Sequence, residues 1–387
     1  MTKRLAWRWA LALGIVLLVT VIVLGRPRPV PIEQRAAALD AIVADAVDGK
    51  NVHGAVVRIV ARGDTLSFAG KAGVLEQSTP YFIASTTKLY VTALIMQLRH
   101  EGLLSLDDRL ADLLPAEEWK GLNRLDGIDR SDAITVRQLL AHTSGIPDYF
   151  EGERANGRRL DKELLAGKDR GWTTAQALDM AREMKPPFPP GKPGKARYSD
   201  TNFQLLGRII EVKTKQSFDD ALTTRILAPL GLTSTYMYRD TSDKRPADII
   251  GSDGALRIPR AMASFGPDGG VVSTAEEQLT FLRAFFEGRL FPEVWLKEMR
   301  QWNPVFFPLE AGVGMLRFQL PRWMPPFTKQ PELIGHSGLS GAFAFYSPDK
   351  DVYVTGTVNT VASQSAPFEL MLRLLAVLPD AKSEKSQ

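Results

Sequence analysis

The residues best suited to chemistry are a serine and a lysine three positions apart, Ser85-Thr86-Thr87-Lys88. On a helix, positions i and i+3 share a face with Cβ atoms about 5–6 Å apart, which would set an amine or ammonium beside a hydroxyl. That pairing suits a nucleophilic hydroxyl whose proton is handled by its neighbour. Leu89, Ala93, Met96 and Gln97 continue at helical intervals, so Ser85 is expected to open a helix. There the N-terminal partial charge favours a developing oxyanion by about 0.3–1 kcal/mol. A plain N-cap serine fits the same residues. A second copy, Ser347-Pro348-Asp349-Lys350, lies in a turn between strand-like runs, where Pro348 denies Lys350 a helical relation to Ser347.

Other chemistries are poorly served. There is no cysteine, so a thiol nucleophile, a disulfide framework and thiolate zinc are excluded. The four histidines, His53, His100, His142 and His336, include no H-E-x-x-H spacing, and neither a metal nor a cofactor is called for. A G-x-S-x-G elbow is absent, since Gly335-His336-Ser337-Gly338-Leu339 misses at its last position.

The elements that must position Ser85 and Lys88 come from the whole chain. Residues 33–48 have near-helical apolar spacing with Gly49 as a stop, and residues 53–61 and 65–74 read as an antiparallel hairpin across Arg62-Gly63-Asp64. Helical patterns then dominate: 85–101, 135–142, 174–184, 201–214 and 218–227, interrupted by the Pro/Gly-rich loop 186–194. Strands return at 312–319, 336–346 and 351–359, and a last helix covers 366–378. Such a sheet, built from N- and C-terminal segments, flanked by helices and carrying an inserted mostly helical lobe, is an α+β arrangement.

Charge is concentrated at one end. Lys3, Arg4, Arg8 and Arg26 are four of the 48 lysines and arginines, and the other 44 equal the 44 acids, so the body offers no nucleic-acid footprint. Residues 9–25 form an uncharged apolar run of about 17, the short end of a bilayer span. The basic residues before it leave 1–8 in the cytoplasm and the body outside, in the periplasm. Trp7 and Trp9 suit an uncleaved membrane anchor, whereas a cleaved signal peptide would release a secreted protein. Residues 26–34 are a stiff Pro-rich linker, 35–378 the folded domain and 379–387 a flexible tail. Nothing in the sequence marks an oligomeric state.

Five segments occur together in order: FIASTTKLYVTALIMQL, ITVRQLLAHTSGIPDY, YSDTNFQLLGRIIEV, GGVVSTAEE and GHSGLSGAFAFYSPD. Over approximately residues 35–378 the chain thereby resembles the serine β-lactamase-like, penicillin-recognising family. That family groups class C β-lactamases, D-alanyl-D-alanine carboxypeptidases, D-aminopeptidases and esterases. The resemblance implies that Ser85 is acylated through an acyl-enzyme, that Lys88 stands beside it, and that Tyr198, in the Y-x-N position, exchanges protons with it. A nearby ammonium should lower the phenol's pKa, and the pair would titrate jointly. His336-Ser337-Gly338 corresponds to the substrate-binding edge-strand element, where Gly338 would let a peptide-like ligand approach the backbone. The oxyanion hole would be the backbone N–H groups of Ser85 and Leu339. His142 is assigned to structure, at a helix end turning at Gly145.

One position departs from the pattern. Asp200 stands where the family usually has Asn. A carboxylate only accepts hydrogen bonds, so Asp200 should hold Lys88 charged and repel anionic ligands, among them most β-lactams. Asp200 could also cap the 201–214 helix. The resulting expectation is a serine hydrolase on an ester or a D-amino-acid peptide or amide. The alternatives are a β-lactamase or carboxypeptidase, and a non-catalytic anchored sensor or wall-binding module. The charged loop 151–171 reads as solvated surface rather than as a cover for the cleft.

Overall fold

The computed structural model describes residues 29–321 and 330–381. The apolar run 9–25, residues 26–28 of the linker and the tail beyond 381 lie outside the described residues. Among those described, no helix is long and apolar enough to cross a membrane.

The chain enters through α1 (Ile32–Asp45) and forms the expected hairpin from β1 (Gly54–Ala61) and β2 (Ser67–Gly73). Gly63 and Asp64 take left-handed φ values of 93° and 60° in the connection. β2 is followed by the short strand β3 (Tyr81–Phe82), then α2 (Thr87–His100), α3 (Val136–Leu140), α4 (Thr174–Arg182) and α5 (Thr201–Thr214). Next come β4 (Tyr236–Met237), β5 (Val271–Ser273) and α6 (Ala275–Phe286). The last part supplies β6 (Asn303–Phe306), β7 (Leu309–Ala311), β8 (Leu316–Phe318), β9 (Leu333–Ser337), β10 (Ala342–Ser347), β11 (Val352–Thr357) and α7 (Ala366–Ala376).

The main sheet has the order β6-β7-β8-β9-β10-β11-β1-β2, antiparallel throughout, so β11 and β1 join the two chain ends. Alternation along these strands separates two cores. Val56 and Val60 of β1, with Ala342 and Ala344 of β10, face the core shared with α2 and α6. Ala55, Val57 and Ile59, with Phe343 and Phe345, face the core under α1 and α7. A second sheet, β3-β5-β4, sits beneath the start of α2. Residues Thr87 to Met96 of α2 are all buried, which fits a helix apolar around most of its circumference. Capping boxes fix the starts of two lobe helices, through Thr135 with Gln138 and Thr173 with Gln176.

The α+β architecture follows the expectation, with local corrections. The run 336–346 is not one strand but the hairpin β9–β10, turning at Gly338–Gly341 with a Gly341 N–H to Gly338 carbonyl bond of 3.0 Å. The 312–319 run shrinks to three residues, and the edge strand β6 and its neighbour β7 carried no recognisable alternation. The 218–227 helix passes through a π turn at Thr223–Leu227.

Candidate active site

Backbone geometry delivers the serine. Ala84, immediately before it, is held left-handed at φ 45°, a conformation a non-glycine residue adopts only when its surroundings impose it. Ser85 lies in the 3₁₀ turn Ala84–Thr86, one turn ahead of α2, rather than within the α-helix. Its side chain caps neither element. The turn is clamped from β9–β10: a Cβ on Gly338 would stand 2.3 Å from the Ile83 carbonyl oxygen, and Ser340 Oγ donates to the Phe82 carbonyl at 2.6 Å. Gly338 is thus required first by the chain leading into Ser85, and only secondarily could its smallness serve a ligand.

Lys88 has no solvent exposure, and its ammonium is fully engaged. Nζ donates to Ser85 Oγ at 3.0 Å and to the Asp268 backbone carbonyl at 2.5 Å, and pairs with Asp200 Oδ1 at 2.6 Å. Burial opposes the charge, but Asp200, then Tyr198 and Asp268, outweigh it and hold the ammonium above its ordinary range. Asp200 occupies the N-cap position of α5, but its side chain makes no capping hydrogen bond and pairs with Lys88 instead.

Tyr198 reaches the same point from the lobe. It lines the same cleft as Ser85, and Lys88 Nζ lies 5.3 Å from its ring centroid. His142 forms the platform beneath: the rings stack at 4.4 Å and 22°, and His142 Nδ1 accepts from the Ser199 N–H at 3.1 Å. Burial, then Lys88, keeps His142 neutral, which suits an acceptor. The predicted downward shift of the phenol does not survive. Burial is the largest influence and pushes Tyr198 up, Lys88 pulls it down, and Asp200 adds to the rise. The net direction is upward because desolvation of the half-buried phenol outweighs Lys88, whose charge Asp200 already neutralises.

The segment carrying Tyr198 and Asp200 is tied to the His142–Tyr149 block by buried hydrogen bonds that sequence reasoning missed. Asp148 Oδ1 accepts from the Asp200 and Phe150 N–H groups at 3.1 Å each, Thr201 Oγ1 accepts from the Tyr149 N–H at 3.0 Å, and Ser144 Oγ donates to Asn202 Oδ1 at 2.7 Å. Asp268 was missed as well, although an acid inside the Gly266-Pro267-Asp268-Gly269-Gly270 turn beside a quoted motif was a usable signal.

His336 is buried at the end of β9 with Nδ1 2.8 Å from the Ser337 carbonyl, so Nδ1 carries the proton and Nε2 does not. Burial, then Lys88, drives its pKa down to about 3. Ser337, Gly338 and Leu339 line an open cleft with Ser85, Tyr198 and His336, about 1160 Å³ including the solvent at its mouth. A second cavity, about 580 Å³, meets it at Ser85 and Leu339. Among the described residues the backbone N–H groups of Ser85 and Leu339 donate to no other protein group, which leaves both free for an oxyanion. The structure therefore brings Ser85, Lys88, Tyr198, Asp200, His336, Ser337, Gly338 and Leu339 to one place. The competing Ser347–Lys350 pair is separated: Lys350 Nζ donates to the Leu378 carbonyl at 2.7 Å and pairs with Asp380 at 2.9 Å.

The charged loop corrects another expectation. Its Leu160–Leu165 turn buries Leu160 and Leu164, and Asp161, Leu164 and Leu165 line the smaller cavity while Glu151 lines the larger. The buried leucines, spaced i to i+4, fold the charged segment down against the cleft.

The chain is similar to several known proteins. Penicillin-binding protein 4 of Amycolatopsis lactamdurans is 30% identical over 266 residues, covering 63% of this chain and 62% of the relative. Protein flp of Staphylococcus aureus is 30% identical over 223 residues, 55% of this chain and 40% of the relative. The chain thus spans less than two thirds of the length of these relatives. Among solved structures, the D-stereospecific amidohydrolase from Streptomyces sp. is 27% identical with a TM-score of 0.70, covering 86% of this chain and 97% of the other. The D-amino acid amidase from Ochrobactrum anthropi SV3, 22% identical with a TM-score of 0.73 over 91% and 99% of the two chains, shares the fold. The Beta-lactamase family profile matches residues 39–378, nearly the whole described fold, and this chain belongs to that family.

Proposed function

We propose that this protein is a serine hydrolase that forms an acyl-enzyme on Ser85 and cleaves an ester or a D-amino-acid amide or peptide. The observation that carries the reading is the hydrogen bond from Lys88 Nζ to Ser85 Oγ at 3.0 Å, with the Tyr198 ring 5.3 Å from that nitrogen, at the meeting of two cavities. A carbonyl carbon placed over Ser85 Oγ would direct its oxygen to the Ser85 and Leu339 N–H groups, and losing one such donor generally costs about 10²–10³ in turnover. Ser85 Oγ would attack and pass its proton into the Lys88–Tyr198 pair, which would return a proton to the leaving group. Water then takes the leaving group's place and releases the acid.

In the resting site Lys88 and Tyr198 both hold their protons. Acylation therefore draws on the minor state in which the pair has released one, and the two titrate as a unit. Hydrolase activity is in keeping with the family and with the D-stereospecific amidohydrolase at 27% identity. Asp200, a carboxylate at the cleft, weighs against anionic β-lactams as preferred substrates. The apolar run 9–25, a reading from sequence, would place the domain outside the cytoplasm, anchored or secreted.

The test is labelling with a fluorophosphonate and a fluorescent penicillin in wild type and Ser85→Ala, beside turnover of p-nitrophenyl esters, D-aminoacyl amides, D-alanyl-D-alanine peptides and nitrocefin. Ser85-dependent adducts and turnover of esters or D-aminoacyl amides are expected. If neither probe gave a serine-dependent adduct and no substrate turned over, the chain would be a binder rather than a hydrolase.

A further inference from the structure

Tyr198 lines the larger of the two cavities that meet at Ser85 and does not line the smaller one. In the acyl-enzyme reading the Lys88–Tyr198 pair returns a proton to the leaving group, so the departing side of the scissile bond faces this cleft. When that bond breaks, its electron pair stays on the leaving oxygen or nitrogen, which takes the proton and departs as an alcohol or amine. The walls of the cleft therefore act on the leaving group.

Strand alternation makes the floor of this cleft apolar. Leu309 of β7 and Leu316 and Phe318 of β8 belong to the core under α7, and with Phe306, Pro367 and Phe368 they line the cleft. Phe318 and Phe368 stack with ring centroids 4.8 Å apart. Arg317, between Leu316 and Phe318, points to the opposite face, where it donates to Glu310 at 2.8 Å and sits over the Trp302 ring. Among the described residues no lysine or arginine lines the cleft, and Lys88 is already paired with Asp200 at 2.6 Å. The polar side chains that do line it are Glu151, which is exposed to solvent, His336 with an unprotonated Nε2, and the neutral Ser85, Tyr198, Ser337 and Gln364. A carboxylate placed here would meet the Glu151 carboxyl group and the His336 lone pair and no cation, and an unpaired charge resists burial. An alkyl or aryl group would instead cover the apolar floor, worth about fourfold in affinity per fully buried methylene.

We propose that the larger cleft selects an uncharged, apolar leaving group, an alkyl or aryl alcohol or amine lying against Leu316, Phe318 and Phe368, and rejects one that ends in a carboxylate. This deepens the acyl-enzyme reading and rests on it for the position of the scissile bond. Substrates whose departing residue carries a free carboxylate, as in D-alanyl-D-alanine peptides, are thereby disfavoured relative to esters and amides with apolar leaving groups.

The experiment holds the acyl group fixed, as acetyl and separately as D-alanyl, and varies the alcohol among ethanol, 1-hexanol and 6-hydroxyhexanoate, with kcat/KM followed by pH-stat. The hexyl ester is expected to exceed the ethyl ester by about tenfold or more, less than four fully buried methylenes would give because the cleft is open. The 6-hydroxyhexanoate ester should fall about tenfold or more below the hexyl ester. Phe318→Ala should shrink the hexyl to ethyl ratio, and Gln364→Arg, which sets a cation in the cleft, should raise the 6-hydroxyhexanoate to hexyl ratio about fivefold or more. Because these are ratios within one protein, a general loss of activity does not mimic them, and the Gln364→Arg effect is a gain. Saturation-transfer NMR on wild type, which needs no turnover, should detect benzyl alcohol and not benzoate, and Leu316→Trp should weaken the benzyl alcohol signal. Equal or better turnover of the 6-hydroxyhexanoate ester, no gain from hexyl over ethyl, or equal transfer to benzoate would overturn the proposal. Absence of all turnover and of Ser85 labelling would instead remove the acyl-enzyme reading, and the NMR comparison would still decide whether the cleft prefers an uncharged apolar occupant.

Discussion

Replacing Asp200 by Asn tests how the site keeps its charge. In the wild type the Lys88 ammonium is completely buried and faces Asp200 Oδ1 at 2.6 Å. Breaking a buried ion pair by removing one partner costs about 3–5 kcal/mol, because a charge is left uncompensated. The protein can escape by releasing the lysine proton. An ordinary lysine titrates near 10.4, so release costs about 4.6 kcal/mol at pH 7 and about 1.9 kcal/mol at pH 9. At pH 7 the two routes are comparably costly, whereas at pH 9 deprotonation is the cheaper one. In the wild type Lys88 is raised, so its contribution is fully present below the unfolded pKa and is lost only as pH rises through the folded value, above this window. In the variant the folded pKa falls below the unfolded one. The unfolded chain then binds more protons, and stability rises with pH. The expected destabilisation by Asp200→Asn is therefore about 3–5 kcal/mol at pH 7, shrinking to about 2 kcal/mol at pH 9. Urea unfolding followed by tryptophan fluorescence measures both. A difference below about 1 kcal/mol that does not vary with pH would refute the claim that Asp200 holds the lysine charged.

Three further outcomes follow from the same geometry. Asp200→Asn should be acylated by a fluorescent penicillin at least severalfold faster than wild type, measured as a second-order rate constant; equal rates would show that this carboxylate does not repel the β-lactam anion. Tyr198→Phe should lower kcat for ester hydrolysis by about 10²–10⁴, the usual worth of a proton-transfer group, with little change in KM, and should flatten a wild-type kcat/KM profile that rises towards alkaline pH. A loss confined to KM would mark the phenol as a binding group. Gly338→Ala places a methyl 2.3 Å from the Ile83 carbonyl, and overpacking of this kind costs about 1–3 kcal/mol, so both melting temperature and Ser85 labelling rate should fall.

The local order of the chain determined much of this protein. The β-rich runs 54–61 and 67–73 and the helical spacing of 201–214 named elements that the structure reproduces closely, the inner strand buried on both faces between two cores and the outer one on alternate residues. Ser85 and Lys88, three residues apart, were legible as a pair for the same local reason. The five ordered segments carried Tyr198 and Leu339 to them by resemblance. Tertiary structure decided what depends on enclosure. The direction of the Tyr198 shift turns on burial outweighing a neutralised lysine, and no spacing along a chain expresses that. Asp268 lies 180 residues from Lys88 and meets it only through a turn packed beneath α2. The short strands β6 and β7 were hidden because three or four residues hold too little alternation to read, and the charged 151–171 segment folds onto the cleft because two leucines within it find the core. Residue types and their spacing set which groups could react, and the depth at which the fold buries them sets which protons they keep.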